Sequence, residues 1–299
     1  EASNKIEGIV TTATRIRQLM DDKTTPRSRD EREIIGYRDV LNTIHESHDY
    51  IPIRPAYILQ LHRDLLKHAG LSYGGQFKNT QNYINETKAD GTVVTRFVPL
   101  APYETEPAIE AICESYRKTL AMEVIDPLIL IPTFICDFLC IHPFNDGNGR
   151  MSRLLTLLLL YQNGYEVGKY ISIEKQIEKT KDAYYDVLER IDEGWHEEKN
   201  DPTPFIKYML QVILACYTEF EERVGLVSES SRSTVYDVVK TYVMEKVGKF
   251  TGAEVVAACP SGSRSAVLGA LKRLTEEGLI VKCGTGRGTF YVRRDAIEP

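Results

Sequence analysis

Two stretches of this chain are apolar on nearly every side, and the segment between them is not. Pro127–Ile141 carries a single charge, Asp137, and Leu154–Leu160 is almost as apolar. Helices with no polar face must be buried in a folded core. Between them lies His142-Pro143-Phe144-Asn145-Asp146-Gly147-Asn148-Gly149-Arg150. A loop joining two buried helices sits on a rigid frame, and solubility alone does not explain polar residues gathered there.

The rest of the pattern is mostly helical. Leu19, Ile34, Ile35 and Leu41 belong to early amphipathic segments, and a helix over 55–68 carries Ile58, Leu61, Leu65 and Leu66 on one side. Helices are expected over 106–122, 127–141, 151–163, 173–191 and 202–224. The exception is 74–102, where β-prone runs at 83–85 and 93–98 flank Ala89-Asp90-Gly91, a hairpin signal. A polar stretch, Ser228–Thr234, reads as a linker. Beyond it come helices over 235–247, 253–258 and 263–277, the last capped by Ser261 or Ser263. Two short strands follow around Gly284-Thr285-Gly286-Arg287-Gly288. Three helices and a two-stranded wing give the order of a winged helix. The fold class is therefore mainly α, a helical core with one β-hairpin plus a C-terminal winged-helix domain. The expected division is 1–29, 30–226 and 232–299.

The chain has 299 residues, 27% of them charged, and a net charge of -6 that gives no reason to expect general nucleic-acid affinity. The six cysteines, Cys113, Cys136, Cys140, Cys216, Cys259 and Cys283, form no C-x-x-C pair and no zinc-type cluster with histidine. They read as buried free thiols in a reducing compartment. The opening residues are mixed and polar, unlike a signal peptide, and the longest apolar run is shorter than the ~20 residues of a membrane span. A cytoplasmic protein is expected, with no membrane partner.

The residue types in the loop suit nucleotide chemistry. Gly147 and Gly149 permit a tight backbone path whose N–H groups converge on an oxyanion. The positive end of the next helix, expected to begin near Met151, faces the same place. Arg150 and Arg153 are one helical turn apart and can both reach a polyphosphate. Asp146 is a hard oxygen ligand for Mg2+ shared with phosphates. His142 can accept a proton from an attacking hydroxyl. Phe144 reads as an anchor packed inward.

The string His142–Arg153, H-P-F-N-D-G-N-G-R-M-S-R, matches without departure the signature H-x-F-x-[DE]-G-N-G-R-x-x-R of Fic domain proteins, which this chain resembles over roughly residues 30–220. Gly75-Gln76-Phe77-Lys78 is similar to the family's G-x-[YF]-R segment, with Lys for Arg, and the hairpin around Asp90-Gly91 sits where the family has its flap. Tyr184-Tyr185 and the stretch from Trp195-His196 to Pro204-Phe205 resemble the segment after the core. The resemblance implies AMP transfer from ATP to a Tyr, Ser or Thr hydroxyl of a target protein. His142 would be the general base, and Asp146 would hold Mg2+ between the α- and β-phosphates. Asn148 with the Gly147 and Gly149 backbone would cradle phosphate, while Arg150 and Arg153 would meet the β and γ groups. Tyr185 would lie near the adenine or else in the core. The flap would align the target chain by strand addition. The intact Gly147-Asn148-Gly149 argues against relatives that move a different group.

Ser3-Asn4-Lys5-Ile6-Glu7-Gly8 is similar to the inhibitory [ST]-x-x-x-E-[GN] motif, placed before the core as in class II Fic proteins. Glu7 would pair with Arg153 and remove the γ-phosphate's partner. In some relatives this Glu also helps remove AMP. At the other end, residues 232–299 hold eleven Lys and Arg against seven Asp and Glu, leaving the remainder near -10. Arg264, Lys272 and Arg273 on the third helix and Arg287 at the wing tip could meet DNA phosphates. The alternatives are a packing or homodimer-forming domain, and a transcriptional regulator whose Fic part only senses nucleotide.

Overall fold

The computed structural model describes residues 2–294 apart from 10, 11, 21–23, 89, 233, 247, 260 and 261. The chain divides into two compact units, Glu1–Phe220 and Glu221–Pro299.

In the first unit, α1 (Ala2–Ile6) and α2 (Ala13–Met20) precede the long α3 (Arg29–Ser47). Ser28 caps α3, its hydroxyl accepting from the Glu31 amide. The N-terminal stretch belongs to this unit because α1 packs on later helices and α2 packs on α3. Arg15 Nε reaches Glu31 Oε1 at 2.7 Å and fastens α2 further. Next come α4 (Pro55–Leu66), the antiparallel strands β1 (Ile84–Thr87) and β2 (Val93–Phe97), and α5 (Pro102–Met122). The turn between the strands closes through Gly91, whose φ of +84° suits glycine; Ala89, part of the expected hairpin signal, lies outside the described residues.

The two apolar segments become α6 (Pro127–Ile141) and α7 (Asn148–Gln162), which pack on each other. Met151, Leu154, Leu155, Leu158, Leu159 and Leu160 are all fully buried, so α7 is surrounded by protein. The helix starts three residues earlier than sequence suggests, which puts Asn148, Gly149 and Arg150 in its first turn. The helix expected over 173–191 is two, α8 (Ile173–Lys179) and α9 (Lys181–Asp192). They part at Thr180, whose hydroxyl bonds back to the Gln176 carbonyl and meets the Tyr208 hydroxyl. α10 is Thr203–Arg232, so the polar stretch read as a linker is helical as far as Arg232. Ser, Glu and Arg extend a helix at little cost when nothing else breaks it.

The second unit contains α11 (Val235–Glu245), α12 (Gly252–Ala258), α13 (Arg264–Glu276), β3 (Ile280–Cys283) and β4 (Phe290–Arg293). Thr234, Thr251 and Ser263 cap the three helices through their hydroxyls; Ser261, the other candidate, lies outside the described residues. The strands pair antiparallel, and Phe250 bridges to Tyr291. Val239, Val243, Phe250, Val267, Leu271 and Leu274 form a separate buried core. Cys283 is partly exposed and the other five cysteines are buried. Among the described residues no helix is long and apolar enough to cross a membrane.

Candidate active site

The site is built on the passage from α6 to α7. α6 ends with His142 in the left-handed region, φ 50° and ψ 62°, its amide still bonded to the Phe138 carbonyl. That turn carries the imidazole out of the helix direction. Its Nδ1 lies 3.2 Å from the Leu139 carbonyl oxygen. A carbonyl can only accept, so Nδ1 holds the proton and Nε2 of the neutral ring keeps its lone pair. Burial pushes the imidazolium pKa down to about 4.

The loop is closed by its own polar atoms. Asn148 Oδ1 accepts from the Phe144 amide at 2.9 Å, and Asn148 Nδ2 donates to the Phe144 carbonyl at 2.7 Å. The Asn148 amide group, expected to cradle phosphate, is thus committed to loop shape. Gly147 is the N-cap of α7 with φ +87°, and no side chain caps this end. The first amides of α7 are therefore available to an anion, with the helix dipole behind them.

His62 and Lys78 hold the loop from below. His62 Nδ1 accepts from the Gly75 amide at 3.1 Å, its Nε2 donates to the Asp146 carbonyl at 3.0 Å, and its ring stacks on Phe144 with centroids 3.6 Å apart. Burial lowers its pKa to about 4, so the ring stays neutral. The Lys78 amide donates to the Pro143 carbonyl at 2.8 Å, and its Nζ to the Ile141 carbonyl and Asn82 Oδ1, each at 3.0 Å. Burial lowers the ammonium pKa to about 8. Asn82 Nδ2 donates to the carbonyls of His142 and Phe144. Sequence reading missed His62 and Asn82 altogether; Lys78 was visible only through the G-x-[YF]-R resemblance.

The two arginines separate. Arg153 is buried, with Nε donating to Ser3 Oγ at 2.7 Å and Nη2 to the Ser3 carbonyl and Glu7 Oε1 at 3.0 and 2.8 Å. Its Nη1 is buried without a partner. Arg150 does not line the cavity, contrary to expectation: it is fully buried, with Nη1 bonded to Glu33 Oε2 at 2.8 Å and Nη2 to Asp146 Oδ1 at 3.2 Å. Glu33, on α3, is thus its buried partner. Asp146 also faces Arg29 Nη2 at 3.3 Å.

A cavity of about 440 Å³ opens over the loop, lined by His142, Asn145–Gly149 and Arg153 below, Glu7 at one side, the hairpin residues Ile84–Glu86 and Arg96, and the α9 face from Tyr184 to Asp192. Glu7 lies against the start of α7: a Cβ placed on Gly149 would fall 2.3 Å from Glu7 Oε1. The carboxylate therefore sits where an anion on the α7 amides would sit. Tyr185 lines the cavity, and its hydroxyl donates to the Ile6 carbonyl at 3.3 Å. Of the predicted site residues, His142, Asp146, Gly147, Asn148, Gly149, Arg153, Tyr185 and Glu7 border one space. Ser3 adjoins it through Arg153.

A helical domain with a polar turn between buried helices and a hairpin over a nucleotide-sized cavity is the class these features define. Residues 52–160 match the model of the Fic/DOC family, and the chain carries a Fic domain. It is similar to the protein adenylyltransferase Fic of Aedes aegypti, 26% identical over 83% of this chain and 48% of that protein. It is likewise similar to protein adenylyltransferase fic-1 of Caenorhabditis elegans, 27% identical over 60% of this chain and 32% of that one. The chain thus spans half or less of these relatives. Among solved structures it resembles a Fic family protein from Desulfovibrio desulfuricans, with a TM-score of 0.61 and 19% identity over 98% of this chain and 84% of that one. A Fic domain containing signaling protein from Bacteroides thetaiotaomicron gives 0.59 and 24% over 72% and 81%.

Proposed function

We propose that this protein transfers AMP from ATP to a Tyr, Ser or Thr hydroxyl of a target protein. The observation that carries the reading is a neutral His142 with a free Nε2 in the same cavity as the uncapped α7 amides and the unpartnered Nη1 of Arg153. The names of the relatives support it. Nε2 takes the proton of the target hydroxyl as its oxygen bonds to the α-phosphorus. The bond from that phosphorus to the bridging oxygen breaks, and pyrophosphate leaves. The α7 amides and Arg153 hold the phosphate charge.

Among the described residues no cluster of three or more acidic, His or Cys side chains forms a metal cage. A single carboxylate, Asp146, with phosphate oxygens and water is the usual donor set for Mg2+. Asp146 would hold the ion, which neutralises phosphate charge when bound, and must loosen from Arg29 and Arg150 to do so. Glu7 acts as a brake of the class II kind. It occupies the anion position and holds a guanidinium that a γ-phosphate needs. The same carboxylate could orient water for removal of AMP.

The Glu7→Gly protein, incubated with labelled Mg-ATP and a cell extract, should gain a protein-bound adenylate of AMP mass, and His142→Ala in that background should abolish it. No labelled product in either would defeat the reading.

The element order α11-α12-α13-β3-β4 supports a winged helix for the second unit. Of its DNA-facing candidates, Arg264 is exposed, and Arg273 and Lys272 make exposed pairs along α13, to Glu277 at 2.9 Å and Glu276 at 3.8 Å, that a phosphate can displace. The Arg287 side chain lies outside the described residues. An electrophoretic shift with mixed duplex DNA at low salt separates DNA recognition from a protein-packing role, and no shift would sink the DNA reading.

A further inference from the structure

The hairpin over the cavity is tied down unevenly. At its root, Phe97 is buried against Trp195 and stacks on His196, and His196 Nε2 meets the Val98 carbonyl at 2.8 Å. Toward the tip the hairpin holds only itself. Among the described residues, the hydrogen bonds of 85–95 stay within the two strands and their turn, such as Thr95 Oγ1 to Asn85 Oδ1. Val93 is 61% exposed, so apolar packing does not fix that end.

Among the described residues, one ion pair crosses from the hairpin to the helical body between these extremes. Arg96 Nη2 lies 2.9 Å from Asp192 Oδ2 at the end of α9, and both side chains are largely buried, at 16% and 9% exposure. The pair is close but misaligned. Arg96 Nε and Asp192 Oδ2 are each buried with no hydrogen-bond partner. Both residues line the cavity that His142 borders. Burial outweighs Arg96 at the Asp192 carboxyl and pushes its pKa up to about 6. Cys140 Sγ, 3.8 Å from Asp192 Oδ1, adds a weak second contact.

We propose that Arg96 and Asp192 are positioning residues: their ion pair is the last tie of the hairpin before its free tip, and it holds β2 in place over the cavity where a target chain must lie for its hydroxyl to reach His142. A buried charge pair with imperfect hydrogen bonding is strong enough to order a strand and weak enough to part. The alternation of β2 explains the choice of residue. Arg96 and Val94 share one face of the strand, whereas Thr95 and Phe97 share the other, so Arg96 is the β2 residue nearest the tip that turns a charge toward α9. The consequence for catalysis rests on the AMP-transfer reading; the tie itself does not.

Hydrogen–deuterium exchange on the intact chain tests it. Arg96→Ala and Asp192→Ala should each speed exchange of amides 84–97 by about tenfold, with α6 and α7 amides unchanged. The double variant should exchange no faster than the faster single variant, because one interaction is lost in all three. Arg96→Lys should restore most of the protection. Unchanged exchange in the singles, additive effects, or general acceleration across α6 and α7 would overturn the proposal. In the Glu7→Gly background, incorporation of labelled AMP into extract proteins should fall for Arg96→Ala and recover with Arg96→Lys. If Glu7→Gly itself transfers nothing, the proposed activity fails while the exchange result still decides the tie.

Discussion

The floor and the roof of the cavity are built differently. The floor, His142–Arg153, is fixed many times over: Asn148 closes it, His62, Lys78 and Asn82 hold its carbonyls, and Arg150 ties it to α3. The roof and side wall are held at fewer points: beyond its packed root the hairpin has the Arg96–Asp192 pair, and the segment around Glu7 has buried Ile6 and the bonds of Ser3 and Glu7 to Arg153. In the proposed transfer the floor would present a base and an anion site without reorganising, which requires locked rotamers. The other walls would admit a target and release a brake. Rigidity and looseness are thus sorted by task.

The sharpest break of this contrast is in the floor. His142→Ala in the Glu7→Gly background should reduce transfer by about 10²–10⁴-fold, the usual worth of a general base, with the far-UV spectrum unchanged. Arg150→Ala should lower stability by about 3–5 kcal/mol in denaturant titration, because Glu33 is left buried and uncompensated. The same change made at a phosphate-binding surface arginine would have almost no effect on stability. That difference separates a structural Arg150 from the phosphate contact expected of it.

The wall should respond the opposite way. Glu7→Gly should raise transfer by at least about tenfold while costing less stability than Arg150→Ala, since the Glu7 side chain is one-third exposed and Arg153 keeps its two bonds to Ser3. A large loss of stability with no gain of activity would place Glu7 in the floor rather than the wall.

The smallest effect is in pH. The folded His142 pKa of about 4 lies below the unfolded value near 6.5. The unfolded chain therefore binds the proton first as pH falls. The contribution to stability is complete above about 6.5 and declines between 6.5 and 4, by at most about 1.4 kcal/mol per pH unit. His62 acts in the same direction. Transfer should accordingly not titrate near 6.5 but only below about 5. A rate that halves near pH 6.5 would mean that the imidazole is solvated rather than buried. The Glu7→Gly change should move that midpoint lower still, since Glu7 raises the His142 pKa.

Much of the site was legible because its residues are consecutive. A polar turn between two unpatterned apolar helices can only be buried at both ends, and His142, Asp146 and the glycines follow from one string. Glu7 was legible through a short motif, and its carboxylate does reach Arg153. His62 was not. It lies on the apolar face of an ordinary amphipathic helix, four residues after Ile58 and three before Leu65, and its spacing marks it as buried without telling what it supports. The Arg96–Asp192 tie was equally hidden, since its partners lie 96 positions apart on elements that share no pattern.

The sequence by itself determined the mainly helical fold, the position of the hairpin and the turn on which the chemistry stands, since each depends on local periodicity or on adjacent residues. Only the tertiary structure decided the partners of Arg150 and Arg153. Three apart on a helix, the two point to nearly the same side, and their charge and reach are identical. What divides them is which carboxylate stands opposite: Glu33 from α3 draws Arg150 into the core, whereas Ser3 and Glu7 meet Arg153 at the cavity and leave it one donor free. Electrostatic partnership is a property of neighbours in space, and the order of residues along the chain does not contain it.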